Sequence, residues 1–162
     1  MYEDVFRELY KNKVRYIVVG GIAVNLYGVP RMTADLDLMV DLEKENVLKL
    51  VNILRSLGYV PKIPENPENL ANQEKREEWK KKNMKAFTFW NTKKPYEQID
   101  IFIENITDFD KAYNRREKVK AEGFEIYLAS IDDLIEIKRK SGRKQDLCDI
   151  EALKKVRDLR TM

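Results

Sequence analysis

Val14 to Asp41, VRYIVVGGIAVNLYGVPRMTADLDLMVD, is the stretch from which the rest of the chain is read. Val14 to Val19 is an apolar, β-branched run, the composition of a buried strand. Gly20 and Gly21 stop it and let the backbone approach another group closely. Ile22 to Tyr27 contains neither Gly nor Pro and can start a helix at once. A glycine turn opening onto a helix N-terminus offers backbone N–H groups and the positive end of a dipole, which suits phosphate oxygens. Gly28, Val29 and Pro30 end the helix, and Arg31 to Val40 then alternates polar and apolar with the period of a strand.

That alternation sends Asp35 and Asp37 to one face and Leu36 and Leu38 to the core. Two neighbouring carboxylates repel and raise a pKa, and a divalent cation between them removes the conflict. A bare D-x-D also occurs as a solvated pair on an edge strand. The phosphate-friendly turn just upstream favours the metal. Gln98 to Ile103, QIDIFI, carries one carboxylate, Asp100, in a largely apolar run. An unpaired buried charge is costly, so Asp100 needs a partner, either a Lys or Arg at a strand end or a shared cation. If its strand lies beside that of Asp35 and Asp37, the three acids form one cluster. Such a cluster suits two cations and in-line phosphoryl or nucleotidyl transfer.

On these residues the chain resembles the nucleotidyltransferase superfamily with the polymerase-β-like fold. The matching parts are Gly20-Gly21, Asp35-x-Asp37 and the later lone Asp100. The wording RMTADLDLMV, with Arg31 and Thr33, is similar to small prokaryotic members related to abortive-infection toxins. Lincosamide nucleotidyltransferases are more distant relatives. Near the C-terminus, Lys138, Gly142-Arg143-Lys144, Asp146 and Asp149-Ile150 repeat a helix–break–D-x-x-D-I pattern of small members. The resemblance implies that Asp35, Asp37 and Asp100 hold two Mg²⁺ ions, with Mn²⁺ as the alternative, and that these acids are catalytic. It implies nucleotide-binding roles for Gly20, Gly21, Arg31, Thr33, Lys138 and Lys144. An NTP would give its NMP to an RNA or tRNA end, a protein side chain or a small-molecule hydroxyl. A toxin paired with an antitoxin protein follows from the likeness alone. The competing reading is a nucleotide- or RNA-binding regulatory module of the same fold. Lys138, Arg143 and Lys144 also read as an inter-helix turn held by salt bridges.

The chain has 162 residues, 43% hydrophobic and 36% charged, with a net charge of +3, as expected of a soluble globular domain with a core of its own. The absence of histidine excludes a Ser-His-Asp triad, a Cys-His dyad and a His-ligated zinc site. Cys148 is the single cysteine, so no internal disulfide forms, and a reducing cytoplasm is the expected compartment. No apolar run approaches a membrane span, so no membrane partner is expected.

The expected fold is α/β (α+β), a small mixed twisted sheet with flanking helices. Residues 1–128 form the core, and 129–162 a C-terminal helical pair packed on the same domain. Helices are expected over 1–13, with Tyr2, Val5, Phe6 and Leu9 on its stripe, and over 41–57, 73–85 and 106–113. Pro61 to Asn69 reads as a loop, and the charge run in 73–85 as a solvated face or a basic rim. Strands are expected at 86–91, hairpinned to the Asp100 strand, and at 117–120 and 124–128. Phe87, Phe89, Trp90 and Phe102 are read as core, with base stacking as the alternative. Ser130 and Asp133 form a capping box opening a helix, and Leu147, Ile150, Leu153 and Val156 an inner stripe on the last one.

Overall fold

In the computed structural model, which describes residues 1–162, the strand β1 (Tyr16–Val19) runs directly into the helix α2 (Gly20–Leu26). All four β1 residues are buried, as the unbroken apolar run requires. After α2 the chain returns as β2 (Leu36–Val40), antiparallel to β1 with Val19 opposite Asp37. The chain then forms α3 (Lys44–Ser56), β3 (Tyr59–Pro61), a 3₁₀ turn (Pro67–Ala71) and α4 (Gln73–Lys81). The hairpin β4 (Ala86–Asn91) and β5 (Gln98–Phe102) follows, then α5 (Phe109–Asn114), and then the hairpin β6 (Glu117–Ala121) and β7 (Phe124–Leu128). The last elements are α6 (Ile131–Ser141) and α7 (Lys144–Arg160), and the first is α1 (Glu3–Lys11). The sheet has seven strands in the order β3-β4-β5-β2-β1-β7-β6. β2 is parallel to β5 and β1 to β7, and the other pairs are antiparallel, so the sheet is mixed as expected.

The period-2 pattern divides the sheet into two faces. Phe87 and Phe89 on β4 and Ile99 and Ile101 on β5 are buried, while Thr88, Trp90, Gln98, Asp100 and Phe102 are half-buried on the other face. Helices cover the first face. Phe6 of α1 stacks on Tyr16 with centroids 6.4 Å apart, and Trp79 of α4 lies 5.3 Å from Phe87. The acids therefore line the face these helices leave free. Ile131, Leu134, Ile135, Ile150 and Leu153 of the C-terminal pair join the same apolar core as β1.

Several expectations shift at this resolution of detail. Helix α1 begins at Glu3, and Tyr2 is its N-cap, buried in a left-handed conformation (φ 64). Helix α3 begins at Lys44, because Asp41 accepts the Glu43 N–H and Asn46 ties Arg15 and Asp41 together. Pro61, expected to open a loop, instead closes an edge strand, Tyr59–Pro61, paired to β4, where a proline is tolerated. The proline-rich stretch contains the 3₁₀ turn, with Pro67 at its start and Asn66 as its cap. Helix α4 ends at Lys81, and Asn83 then takes φ 65. Asp108 caps α5, and Ser130 accepts the Asp133 N–H at 3.1 Å. On α7, Ile150 and Leu153 are buried, but Leu147 is 55% exposed and leaves the inner stripe.

Candidate active site

Gly20 and Gly21 are needed because other side chains of the same chain press against them. A Cβ built on Gly20 would overlap Asp37 Oδ2, and Gly20 also takes a left-handed φ of +72. A Cβ on Gly21 would overlap Arg31 Nη1 and lie 2.7 Å from Thr33 Oγ1. The turn thus seats the second acid on one glycine and the arginine and threonine on the next. Val19 at the N-cap of α2 supplies no side-chain acceptor, so the first-turn N–H groups have no side-chain cap.

Two of the acids face each other across neighbouring strands. Asp37 of β2 sits opposite Asp100 of β5 in parallel register, and Asp100 sits opposite Thr88 of β4. All three project from one face. Burial, then the charge of Asp100 and a carboxyl–carboxylate hydrogen bond with it, push Asp37 up to about 7. Asp35 and Lys138 act on it more weakly and with opposite sign. Asp35 lies one residue before β2 and is exposed, so strand alternation alone does not set its direction. Its carboxyl is nevertheless raised, by burial and by Asp100, with Lys62 opposing. Thr88 Oγ1 donates to Asp100 Oδ1 at 2.5 Å, which fixes the orientation of that carboxylate.

Arg31 and the C-terminal pair approach the same end of the sheet. Asp149 Oδ1 lies 3.1 Å from Arg31 Nε, and Asp149 Oδ2 lies 2.9 Å from Lys138 Nζ. Lys138 also reaches Asp146 Oδ1 at 3.5 Å, and Gln145 donates to Asp149 Oδ1. Asp146 accepts both the backbone N–H and the Nε of Arg143, closing the capping box of α7. Burial is the largest influence on Asp146 and opposes its ionisation, but Arg143, Ser141 and Lys138 together outweigh it and hold the carboxyl below its ordinary value. Arg31 Nε is buried and makes no well-aligned hydrogen bond, so its contact with Asp149 is chiefly one of charge.

The salt-bridged turn thus describes Lys138, which is only 4% exposed and committed to two carboxylates. Lys144 is exposed at the start of α7 and forms no ion pair. Residues 73–81 do not form a basic rim. Glu74, Glu77 and Glu78, with Glu68, line a surface groove whose lining includes none of the residues above. Phe87 and Phe89 are core, as read.

Two contributors escaped the sequence reading. Thr88 was visible only as the polar residue between Phe87 and Phe89. Tyr2 was read as part of an apolar stripe, yet its hydroxyl reaches Ala34 and Gln98 beside the acids. Nothing in a helical periodicity distinguishes a tyrosine used for its ring from one used for its oxygen.

The donor set is hard carboxylate oxygen, and an acid whose pKa is raised by another acid is where a cation would relieve repulsion. Asp37 and Asp100 fit a divalent ion on these grounds, with Asp35 at the rim. No three acidic side chains are drawn close enough to form a closed metal cage. No helix is long and apolar enough to cross a membrane.

Similarity to known proteins bears on the fold and the family. The lincosamide antibiotic adenylyltransferase LnuA, bound to lincomycin, is similar in structure with a TM-score of 0.58 at 17% identity, over 90% of this chain and 89% of that one. ANT(2″)-Ia, in complex with adenylyl-2″-tobramycin, matches with a TM-score of 0.58 at 14% identity, over 98% and 91%. The Thermotoga maritima protein TM1012, assigned as a nucleotidyltransferase, matches with a TM-score of 0.55 at 18% identity, over 95% and 91%. No curated protein matches the sequence itself. At these identities the structures establish the fold. A family model described as "Nucleotidyltransferase of unknown function (DUF6036)" matches residues 3–161, and the chain therefore belongs to that nucleotidyltransferase family.

Proposed function

We propose that the protein transfers an NMP from an NTP to a hydroxyl-bearing acceptor in a reaction that depends on a divalent metal. The observation that carries this reading is the Asp37–Asp100 pair, two acids opposite each other in parallel register, the first of them seated on Gly20. Asp37 and Asp100 would hold Mg²⁺, with Asp35 at the rim of the site. The bound ion would neutralise charge on the phosphates and on the attacking oxygen.

The remaining work falls to the chain. The Gly20–Gly21 turn presents backbone N–H groups to the phosphates, and Arg31, held over Gly21 by Asp149, adds a cation beside them. Thr33 lies on the same glycine and Lys144 stands exposed at the start of α7, both as further phosphate partners. Lys138 acts at one remove, by holding Asp149 and Asp146 in place. The acceptor oxygen bonds to the α-phosphorus and the bond to the β-phosphate oxygen breaks. Pyrophosphate leaves, and Asp100, oriented by Thr88, takes the acceptor proton. LnuA is an adenylyltransferase seen with lincomycin, and ANT(2″)-Ia was captured with adenylyl-2″-tobramycin. These neighbours favour ATP as donor and a small-molecule hydroxyl as acceptor.

Thermal melting with Mg²⁺ and each NTP tests the site. A ligand held at 100 times its Kd stabilises by about 2.7 kcal/mol, and Asp37→Asn should abolish the Mg²⁺-dependent part. No stabilisation by any Mg²⁺–NTP pair would contradict the reading.

A further inference from the structure

One buried hydroxyl joins the backbones of the two acid-bearing strands at the end where both begin. Tyr2 Oη lies 2.5 Å from the carbonyl oxygen of Ala34 and 2.9 Å from that of Gln98, and it accepts the Gln98 N–H at 3.0 Å. Ala34 immediately precedes Asp35, and Gln98 stands two residues before Asp100. The β2/β5 ladder starts at Leu36 opposite Ile99, so the hydroxyl sits where the strands no longer pair with each other. It supplies there the donor and acceptor that a further rung would have given. Tyr2 is 2% exposed and adopts a left-handed backbone that tyrosine rarely takes. Such a conformation persists only where its surroundings enforce it, and it aims the ring at the open end of the ladder. Burial pushes the phenol up to about 12, so the hydroxyl remains a donor throughout the neutral range.

We infer that Tyr2 is a positioning residue that sets the spacing of Asp35 from the Asp37–Asp100 pair, and so the geometry in which a divalent cation is bound. Its bearing on the metal rests on the function proposed above, while its hold on the two backbones does not. Tyr2 touches no reacting group itself. It acts through Ala34 and Gln98, as outer partners of metal ligands generally do.

The test compares wild type, Tyr2→Phe and Phe6→Leu. Tyr2→Phe keeps the ring and removes only the hydroxyl. Phe6→Leu weakens the packing of the same helix on Tyr16 without touching the site. Amide hydrogen exchange is measured first. In Tyr2→Phe, the amides of Asp35, Leu36 and Gln98 should exchange about ten-fold faster while α3 is unchanged, because opening at a ladder end is local. Phe6→Leu should not reproduce that pattern. Unchanged exchange, or equal acceleration throughout the sheet, overturns the inference. Mn²⁺ binding, followed by loss of the free-ion paramagnetic resonance signal, is the second readout. Tyr2→Phe should bind about ten-fold more weakly than wild type and Phe6→Leu like wild type. Equal Mn²⁺ affinity in wild type and Tyr2→Phe also overturns it. If wild type takes up no Mn²⁺, the metal reading of the site fails, and the exchange pattern alone decides the role of Tyr2.

Discussion

Replacing Asp37 by asparagine should make the metal-free protein more stable at pH 8. Asp37 is raised from 3.8 to about 7 because burial and Asp100 disfavour its charged form. Between those values the folded chain keeps a proton that the unfolded chain has released. Stability therefore falls as pH rises through that window, and above it the full penalty remains. At 1.36 kcal/mol per pKa unit the whole shift corresponds to about 4 kcal/mol. Asparagine still leaves a polar group buried at the site, so the gain from Asp37→Asn is expected at about 2–4 kcal/mol, or about 5–10 °C in Tm for a chain of this length. The assay is thermal melting of both proteins in EDTA from pH 5 to 8.5. The variant should melt higher at pH 8, and the two curves should converge toward pH 5. Mg²⁺ should then raise wild type and leave the variant unmoved. A gap independent of pH, or a variant no more stable than wild type at pH 8, would refute the reasoning.

Four other outcomes follow from separate positions. Gly20→Ala should cost about 1–2 kcal/mol from its left-handed φ alone and should abolish nucleotide transfer, since its Cβ would displace Asp37. Gly28→Ala, at φ +94 with nothing within 4 Å of the new Cβ, should lose stability but keep activity. Thr88→Val should lower kcat about ten-fold, the equivalent of one charge-assisted hydrogen bond of about 1.5 kcal/mol, with KM for the NTP unchanged. Lys138→Met leaves Asp146 and Asp149 buried without their shared cation and should cost about 3–5 kcal/mol in denaturant titration. Adding Asp146→Asn and Asp149→Asn should restore most of that loss.

What could be read in advance was whatever depended on local pattern. The β4/β5 hairpin announced itself by alternation and a Lys-Pro turn, and Ser130 with Asp133 by the capping box. Asp100 stood out because an acid in an apolar strand requires a reason, and the parallel pairing of β2 with β5 supplies it. Contacts set by tertiary placement were not legible. Tyr59–Pro61 becomes a strand only because β4 arrives beside it. The strand period put Asp35 beside Asp37, but β2 starts after Asp35, and the acid facing Asp37 across the ladder is Asp100. Lys138 carried the same charge in either reading, and only its depth beside Asp146 and Asp149 separates a positioning lysine from an open phosphate ligand.

The most direct test of the proposed chemistry is a double-label experiment. The protein, Mg²⁺ and ATP labelled at either the α- or the γ-phosphorus are incubated with pools of small-molecule hydroxyls, RNA and protein. The expected result is α-label moving to an acceptor, with γ-label leaving as pyrophosphate, and neither occurring with EDTA or in Asp37→Asn. Transfer of the γ-label to an acceptor, or α-label transfer that persists in Asp37→Asn, would contradict it.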